Sequence, residues 1–426
     1  MHRSASGQAW PENSARRPGG GQAWRGGARR IADRDSEAEE ENMNAGVRKW
    51  IRVLGIMSGT SMDGVDYALC AIREGEVRLL DLWHAEFPAG LRRRLHAAAR
   101  SELRTYPLAQ LHHDLGRFYA RHARGGGRKT RPHWIGVHGQ TVYHQPDGRH
   151  PATWQMGEPA YLAEALRAPV VSNFRVADLA AGGQGAPLAT LFHRVVFAAP
   201  GQHRAVNNLG GISNVTSMDW RKGREPRVLA FDTGPANVLI DMAARHYSRG
   251  RMDMDRDGAW ASRGRAAEWL LERWLRHPYF RRPPPKSTGR ELFGEPFWTR
   301  AHAEAQAARL GAADLLATLT ALTARSIALN YRWHLRQIPD EVILTGGGAE
   351  NPVLREEIRR ALAIFRPDVR VRTGTQMGWP SSSIEPAAFA LLAWRRMMGL
   401  PGNLPATTGA RRAVLLGQVS ECSGRA

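Results

Sequence analysis

Two aspartates, Asp63 and Asp66, stand in a turn otherwise built of glycine and hydroxyl residues: "GIMSGTSMDGVD", residues 55 to 66. Gly55, Gly59 and Gly64 let backbone come closer to a ligand than any residue with a Cβ allows. Ser58, Thr60 and Ser61 add hydroxyl donors, and successive N–H groups in such a turn form a nest for an anion. The carboxylates would repel a phosphate unless a divalent cation lay between them, so acid plus donor describes a Mg²⁺–triphosphate site. The alternative is a long irregular hairpin whose aspartates cap turns.

The same device returns without acid at "NNLGGISNV" (207–215), where Gly210 and Gly211 permit approach and Ser213 and Asn214 offer donors. "FDTGPAN" (231–237) and "TGGGAEN" (345–351) add two further strand-end turns, the latter carrying Gly346, Gly347 and Gly348. Four such turns, two of them on matching strand hairpins, fit a nucleotide clamped between two lobes. In "SNFRVADLAAGGQGAPLATLFH" (172–193), Asp178 stands between Arg175 and a flexible glycine loop. A guanidinium nearby would keep this carboxylate ionised and ready to accept a proton; a turn-capping role is the alternative. "PPPKSTGRELF" (283–293) presents Lys286 in a polar cluster behind a rigid proline run. "MDRDGAWA" (254–261) has the start of a calcium loop but lacks the later ligands and the closing Glu, so it reads as a helix-capping turn.

Positioning these loops requires alternating strands and helices. "WIRVLGIMSG", "VDYALCAI" and "VRLLDLWHAEF" read as three strands, followed by two stretches of helical spacing, and the second half opens in the same way at "HRAVNNLGGISNVTSMDW". Two copies of a strand-turn-strand-strand unit, each followed by helices and strands, predict a duplicated α/β domain with the ligand in the cleft between copies. The expected boundaries are an unstructured extension over 1–46, a first lobe over 47–200 joined by a helix at 384–400, a second lobe over 201–383, and a C-terminal tail over 401–426. Residues 1 to 42 hold almost no aliphatic side chains and end just before Met43, so a disordered tail and a translation start at Met43 both remain open.

Composition narrows the partners. The 426 residues carry a formal net charge of +20, yet only four of the 60 basic residues are lysines and the arginines are scattered. An affinity for anionic substrates explains this better than a nucleic-acid footprint. Two cysteines make neither a disulfide framework nor a metal knuckle. No apolar run approaches the roughly 18 residues that span a bilayer. The expectation is a soluble, cytoplasmic protein without nucleic-acid or membrane partners.

Seven strings in order, "GIMSGTSMDGVD", "GVHGQTVYH", "AAGGQGAPL", "NLGGISNVT", "FDTGPAN", "PPKSTGRELF" and "TGGGAENP", resemble the anhydro-N-acetylmuramic acid kinase family, from about Val53 to Ala393. That resemblance implies two duplicated ribonuclease-H-like (actin-like ATPase) domains with an interdomain cleft, ATP and Mg²⁺ as cofactors, and a homodimer. It implies hydrolytic opening of the 1,6-anhydro ring of 1,6-anhydro-N-acetylmuramic acid with phosphorylation to N-acetylmuramic acid 6-phosphate, in peptidoglycan recycling. By the match, Gly59, Thr60, Ser61, Met62, Asp63, Gly64, Val65 and Asp66 form the ATP loop, with Asp63 and Asp66 near the metal. Asp178 is the base that activates water. Gln140, Arg175 and Gln184 line the sugar pocket, and Gly210, Gly211 and Gly346 to Gly348 hold phosphate and adenosine. Two departures stand out. Asn173 replaces an Asp frequent before Phe-Arg, and "WPSSSIEPAAFALLA" keeps Glu385 without the Asp and Lys often found upstream. The competing readings are an actin-like ATPase that transfers nothing to a sugar, and a kinase for another sugar.

Overall fold

The structure, a computed structural model, describes residues 49–59, 61–126 and 131–422. The expected extension over 1–46 lies outside the described residues, as does Thr60. The described residues form one compact unit built on two sheets.

The first sheet begins with β1 (Ile51–Ser58), β2 (Gly64–Arg73) and β3 (Glu76–Glu86), an antiparallel meander. β4 (Trp134–Gln145) runs parallel to β1, β5 (Ala152–Met156) folds back on β4, and β6 (Val170–Ser172) runs parallel to β4. The second sheet repeats the plan. β7 (His203–Leu209), β8 (Ile212–Asp219) and β9 (Arg227–Pro235) form the meander, and β10 (Glu341–Thr345) and β11 (Arg370–Thr373) join in parallel. The orders β6-β4-β1-β2-β3 and β11-β10-β7-β8-β9 correspond strand for strand, so the α/β duplication expected from the repeated hairpins is present in the fold.

Parallel strands covered on both faces need continuous apolar runs. β1 supplies one from Val53 to Ile56, all buried. Its Gly55 is a packing glycine, since a Cβ there would lie 1.7 Å from the Pro386 carbonyl oxygen, and Gly136 of β4 is held in the same way against Phe389 at 2.2 Å. Both let the helix Ser381–Met397 lie directly on the first sheet. That helix and the helix Thr190–Phe197 share an apolar cluster with Val53 and Cys70 of the first sheet and Val206, Met218 and Ile343 of the second. One core therefore joins the two lobes.

Two sequence expectations are corrected here. The helix Ala312–His334 is long and apolar enough to cross a membrane by length and composition, contrary to the reading that no run approaches that limit. Most of it is instead buried in the second lobe, and it carries Thr318, Thr320, Thr323, Ser326 and Asn330 inside the protein. The segment from 401 onward is no tail over its described part. It forms a short helix at Pro405–Thr408, and β12 (Gln418–Ser420) pairs antiparallel with β6 to complete the first sheet. Asp255 behaves as a turn cap, its carboxylate accepting from the N–H groups of Trp260 and Ala261 at 2.8 and 3.0 Å.

Candidate active site

The first loop divides into a packed half and an open half. Met62 and Val65 bury their side chains in the first lobe's core. Gly64 is required by packing, because a Cβ would stand 2.4 Å from the His84 ring. Asp66 accepts from His84 at 2.8 Å; burial pushes its carboxyl above the usual range, and His84 opposes the shift. Ser58 turns inward, donating to Gln140 Oε1 and the Gly64 carbonyl at 2.5 and 3.1 Å. Gly59, Ser61 and Asp63 remain accessible, the Asp63 carboxylate accepting from the Ser61 hydroxyl at 2.7 Å. Among the described residues assigned to ATP in this loop, Ser61 and Asp63 are exposed and Gly59 and Asp66 are half-buried.

Gln140 takes a different position from a sugar contact. It is fully buried, and its amide nitrogen donates to the carbonyls of Gly59 and Thr141 at 3.1 and 3.3 Å. With Ser58 on its oxygen, it braces the first loop from beneath. Ser213, expected as a ligand donor, is also buried, bonded to Asn207 Nδ2 and Thr233 Oγ1 at 2.8 and 2.6 Å. Lys286 is buried too, donating to the carbonyls of Tyr279 and Phe280 and to Asn330 Oδ1; burial lowers it to about 8.

In the second lobe the glycine turns converge because their strands are neighbours. Thr345 of β10 pairs with Asn208 of β7, which brings Gly346–Gly348 beside Gly210 and Gly211. Asn237 ties the two turns, donating to the Leu209 carbonyl at 2.9 Å while its N–H donates to the Gly210 carbonyl at 3.0 Å. Gly346 and Gly348 pack against Asn208, Leu209 and Asn237. Around Gly347 no protein atom lies within 4 Å of where a Cβ would be, and around Gly210 and Gly211 none lies closer than 3.6 Å. Packing does not demand glycine at these three places.

Asp178 occupies the first turn of the short helix Val176–Ala180 and is fully buried. Its Oδ1 accepts from Asn403 Nδ2 and Thr408 Oγ1, each at 2.7 Å, and its Oδ2 accepts from the Gly185 N–H at 2.7 Å. Gly183 closes over the carboxylate, and a Cβ there would be 2.2 Å from Oδ2. The Gly185 carbonyl accepts from Arg175 at 2.8 Å, so the backbone of this one residue is held between acid and guanidinium. Arg175 also donates to His138 Nε2 at 3.1 Å. His138 is buried, with Nδ1 at 2.8 Å from the Gly139 carbonyl; burial, then Arg175, holds it well below the usual histidine range and keeps it neutral. Gln184 is exposed and reaches Asp147 at 3.3 Å.

Glu385 completes the group. Solvent reaches it, yet desolvation by the surrounding protein pushes its carboxyl up, with Arg175 opposing and Asp66 adding to the shift. The Glu385 carboxyl thus responds to the charges of both Arg175 and Asp66. Sequence reasoning left Asn403, Thr408 and His138 without roles. His138 stands inside a quoted motif, whereas nothing local to 403 or 408 signals a partner more than 220 residues away.

Among the described residues no three His, Cys, Asp or Glu side chains converge as a metal site. Mg²⁺ on a triphosphate needs only one or two carboxylates beside the phosphate oxygens, and accessible Asp63 with Asp66 nearby fits that donor set.

A family model described as "Anhydro-N-acetylmuramic acid kinase" matches residues 51–421. A protein of that name from Picosynechococcus sp. is 41% identical over 382 residues, covering 87% of this chain and 99% of the relative. Another, from Gloeobacter violaceus, is 45% identical over 379 residues, covering 86% and 97%. Among solved structures, a ROK family glucokinase from Streptomyces griseus in complex with glucose and AMPPNP aligns with 15% identity and a TM-score of 0.36, over 81% of this chain and 99% of that one.

Proposed function

The chain belongs to the anhydro-N-acetylmuramic acid kinase family, and from that premise we propose how its residues divide the work of an ATP-dependent sugar kinase acting in cell-wall recycling. It is an enzyme of the phosphotransferase class with an amino sugar as acceptor. Its substrate is 1,6-anhydro-N-acetylmuramic acid, its product is N-acetylmuramic acid 6-phosphate, and its place is the cytoplasm.

The open backbone at Gly210, Gly211 and Gly347 carries the nucleotide reading, since glycine there answers to no protein neighbour. The N–H groups of these turns and of Gly59 and Ser61 hold phosphate oxygens and favour the charge that spreads over them during transfer. Asp63, with Asp66 nearby, would hold Mg²⁺, which would neutralise that charge.

Asp178 is the base. A carboxylate offers about four acceptor directions, and Asn403, Thr408 and Gly185 occupy three. The remaining direction, on Oδ2, takes a proton from water aimed at the anomeric carbon. The anhydro sugar has no free hydroxyl on carbon six, because that oxygen is tied to the anomeric carbon. Water forms the new bond to that carbon, the bridge C–O bond breaks, and the freed oxygen attacks the γ-phosphorus, whose bond to the β–γ bridging oxygen breaks and releases ADP. Arg175 and Gln184 flank the sugar, and Gln140 positions the first loop from behind.

With ¹⁸O-labelled water and a rapid quench, the label is expected on the anomeric hydroxyl with inversion at that carbon. Label in the phosphate would show that water hydrolyses ATP, and the actin-like ATPase reading would replace this one. Burial of Asp178 under three donors favours a second role, as anchor of the segment 403–408. Turnover and melting temperature of Asp178→Asn, measured together, separate the two roles.

A further inference from the structure

A cavity of 340 Å³ shares a wall with the cradle of Asp178. Its size lies at the low end for small-molecule sites, roughly 300–1,000 Å³. Leu191, Val195, Leu404 and Pro405 give it an apolar lining, and Arg194 and Arg395 bring two cations to it from different helices. Arg194 pairs with Glu225, an exposed residue. Arg395 donates to the Pro401 carbonyl at 2.5 Å, and among the described residues it forms no ion pair. Burial lowers the Arg395 guanidinium, and the like charge of Arg194 lowers it further. Two cations beside apolar surface with one exposed carboxylate between them leave an unbalanced charge that an anion relieves.

We infer that this cavity binds a small anion with an apolar body, the chemistry of a short-chain carboxylate or alkyl phosphate, and that its occupancy alters turnover through Asp178. The link is short and runs through two hydrogen bonds. Asn403 lines the cavity and donates to Asp178 Oδ1, and the helix that begins at Pro405 on the cavity wall ends at Thr408, which donates to the same oxygen. A ligand that shifts this wall shifts two of the three donors that set the carboxylate. The kinetic half of the inference rests on the reading of Asp178 as base; the binding half does not.

The test is calorimetry on the full chain with hexanoate, butyl phosphate and, as the uncharged control, hexan-1-ol. Saturable 1:1 binding of hexanoate or butyl phosphate is expected, the tighter of the two identifying the anionic group. Arg395→Gln should weaken it at least about tenfold, as loss of a charge-assisted contact implies, with Arg395→Lys intermediate and hexan-1-ol indifferent to both changes. In steady-state assays the same anion should change kcat with a midpoint matching the calorimetric one, and that response should move with Arg395→Gln. No saturation, or equal binding of hexanoate and hexan-1-ol, would reduce the cavity to an apolar crevice. Binding with unchanged kcat and KM would overturn the coupling. Because calorimetry needs no turnover, an active Asp178→Asn enzyme would remove the base assignment and leave the binding result readable.

Discussion

At the scale of single residues, the carboxylates carry the argument. Asp178→Asn keeps the shape but cannot accept a proton, so turnover should fall by ~10²-fold or more, the usual effect of a lost general base. The substitution also turns an NH₂ either toward the Gly185 N–H or toward both Asn403 Nδ2 and Thr408 Oγ1. A buried donor facing a donor costs about 1–3 kcal/mol, so the melting temperature should drop as well. Turnover that survives in the folded variant would leave Asp178 as an anchor only. Asp63→Ala carries no such confound, because its side chain is exposed and, among the described residues, its carboxylate bonds only the Ser61 hydroxyl. The variant should fold as the parent does and need more Mg²⁺ for half-maximal rate. A superimposable Mg²⁺ titration would make Asp63 a turn residue. Asn173 shows how a motif departure is settled locally. It sits at φ 55° and donates to Gln418 of β12 at 3.3 Å, a conformation that asparagine tolerates better than most residues.

At the scale of elements, identical glycines answer to different demands. Gly55→Ala forces a Cβ to within 1.7 Å of the Pro386 backbone, where the helix Ser381–Met397 rests on β1. Separating a helix from its sheet costs more than the ~1–3 kcal/mol of ordinary overpacking, so this variant should melt well below the parent or fail to fold. Gly347→Ala meets no protein atom within 4 Å. It should melt normally and show a raised KM for ATP, which calorimetric ATP titration checks directly. Equal melting temperatures for the two variants would undo the distinction between packing glycines and ligand glycines. The elements from 401 to 422 extend the same logic, because β12 closes the first sheet and Pro405–Thr408 delivers a donor to Asp178.

At the scale of the whole molecule, buried histidines set the acid limit. His193 lies on the helix that joins the lobes and contacts Thr216 of β8 at 2.9 Å. Burial lowers it from 6.5 to about 4. Between those values the unfolded chain binds more protons than the folded one, so stability rises with pH and is lost as pH falls from 6.5 toward 4. A shift of this size corresponds to about 3 kcal/mol from one residue, and His203, also held at about 4, acts in the same window. The melting temperature should therefore decline across that range, and His193→Leu should decline less steeply. Parallel curves for parent and variant would show that His193 does not titrate with unfolding.

The sequence by itself determined the duplicated α/β plan, because the strand-turn-strand-strand unit is written twice and each hairpin is a local structure. It also determined where the glycine loops lie, since glycine clusters at strand ends are legible without any partner. Only the tertiary structure decided which way each loop residue faces. Ser58, Gln140 and Ser213 carry the same polar groups as accessible Ser61 and Asp63, yet the fold buries the first three as braces. The surroundings of Asp178 were beyond local reading for the same reason. Two of its three donors come from residues 403 and 408, in a segment whose composition resembles a tail, and only closure of the first sheet by β12 brings them there. Hydrogen-bond partners separated by more than 220 residues leave no periodicity in the chain, because their pairing is fixed by packing in space and not by spacing along the backbone.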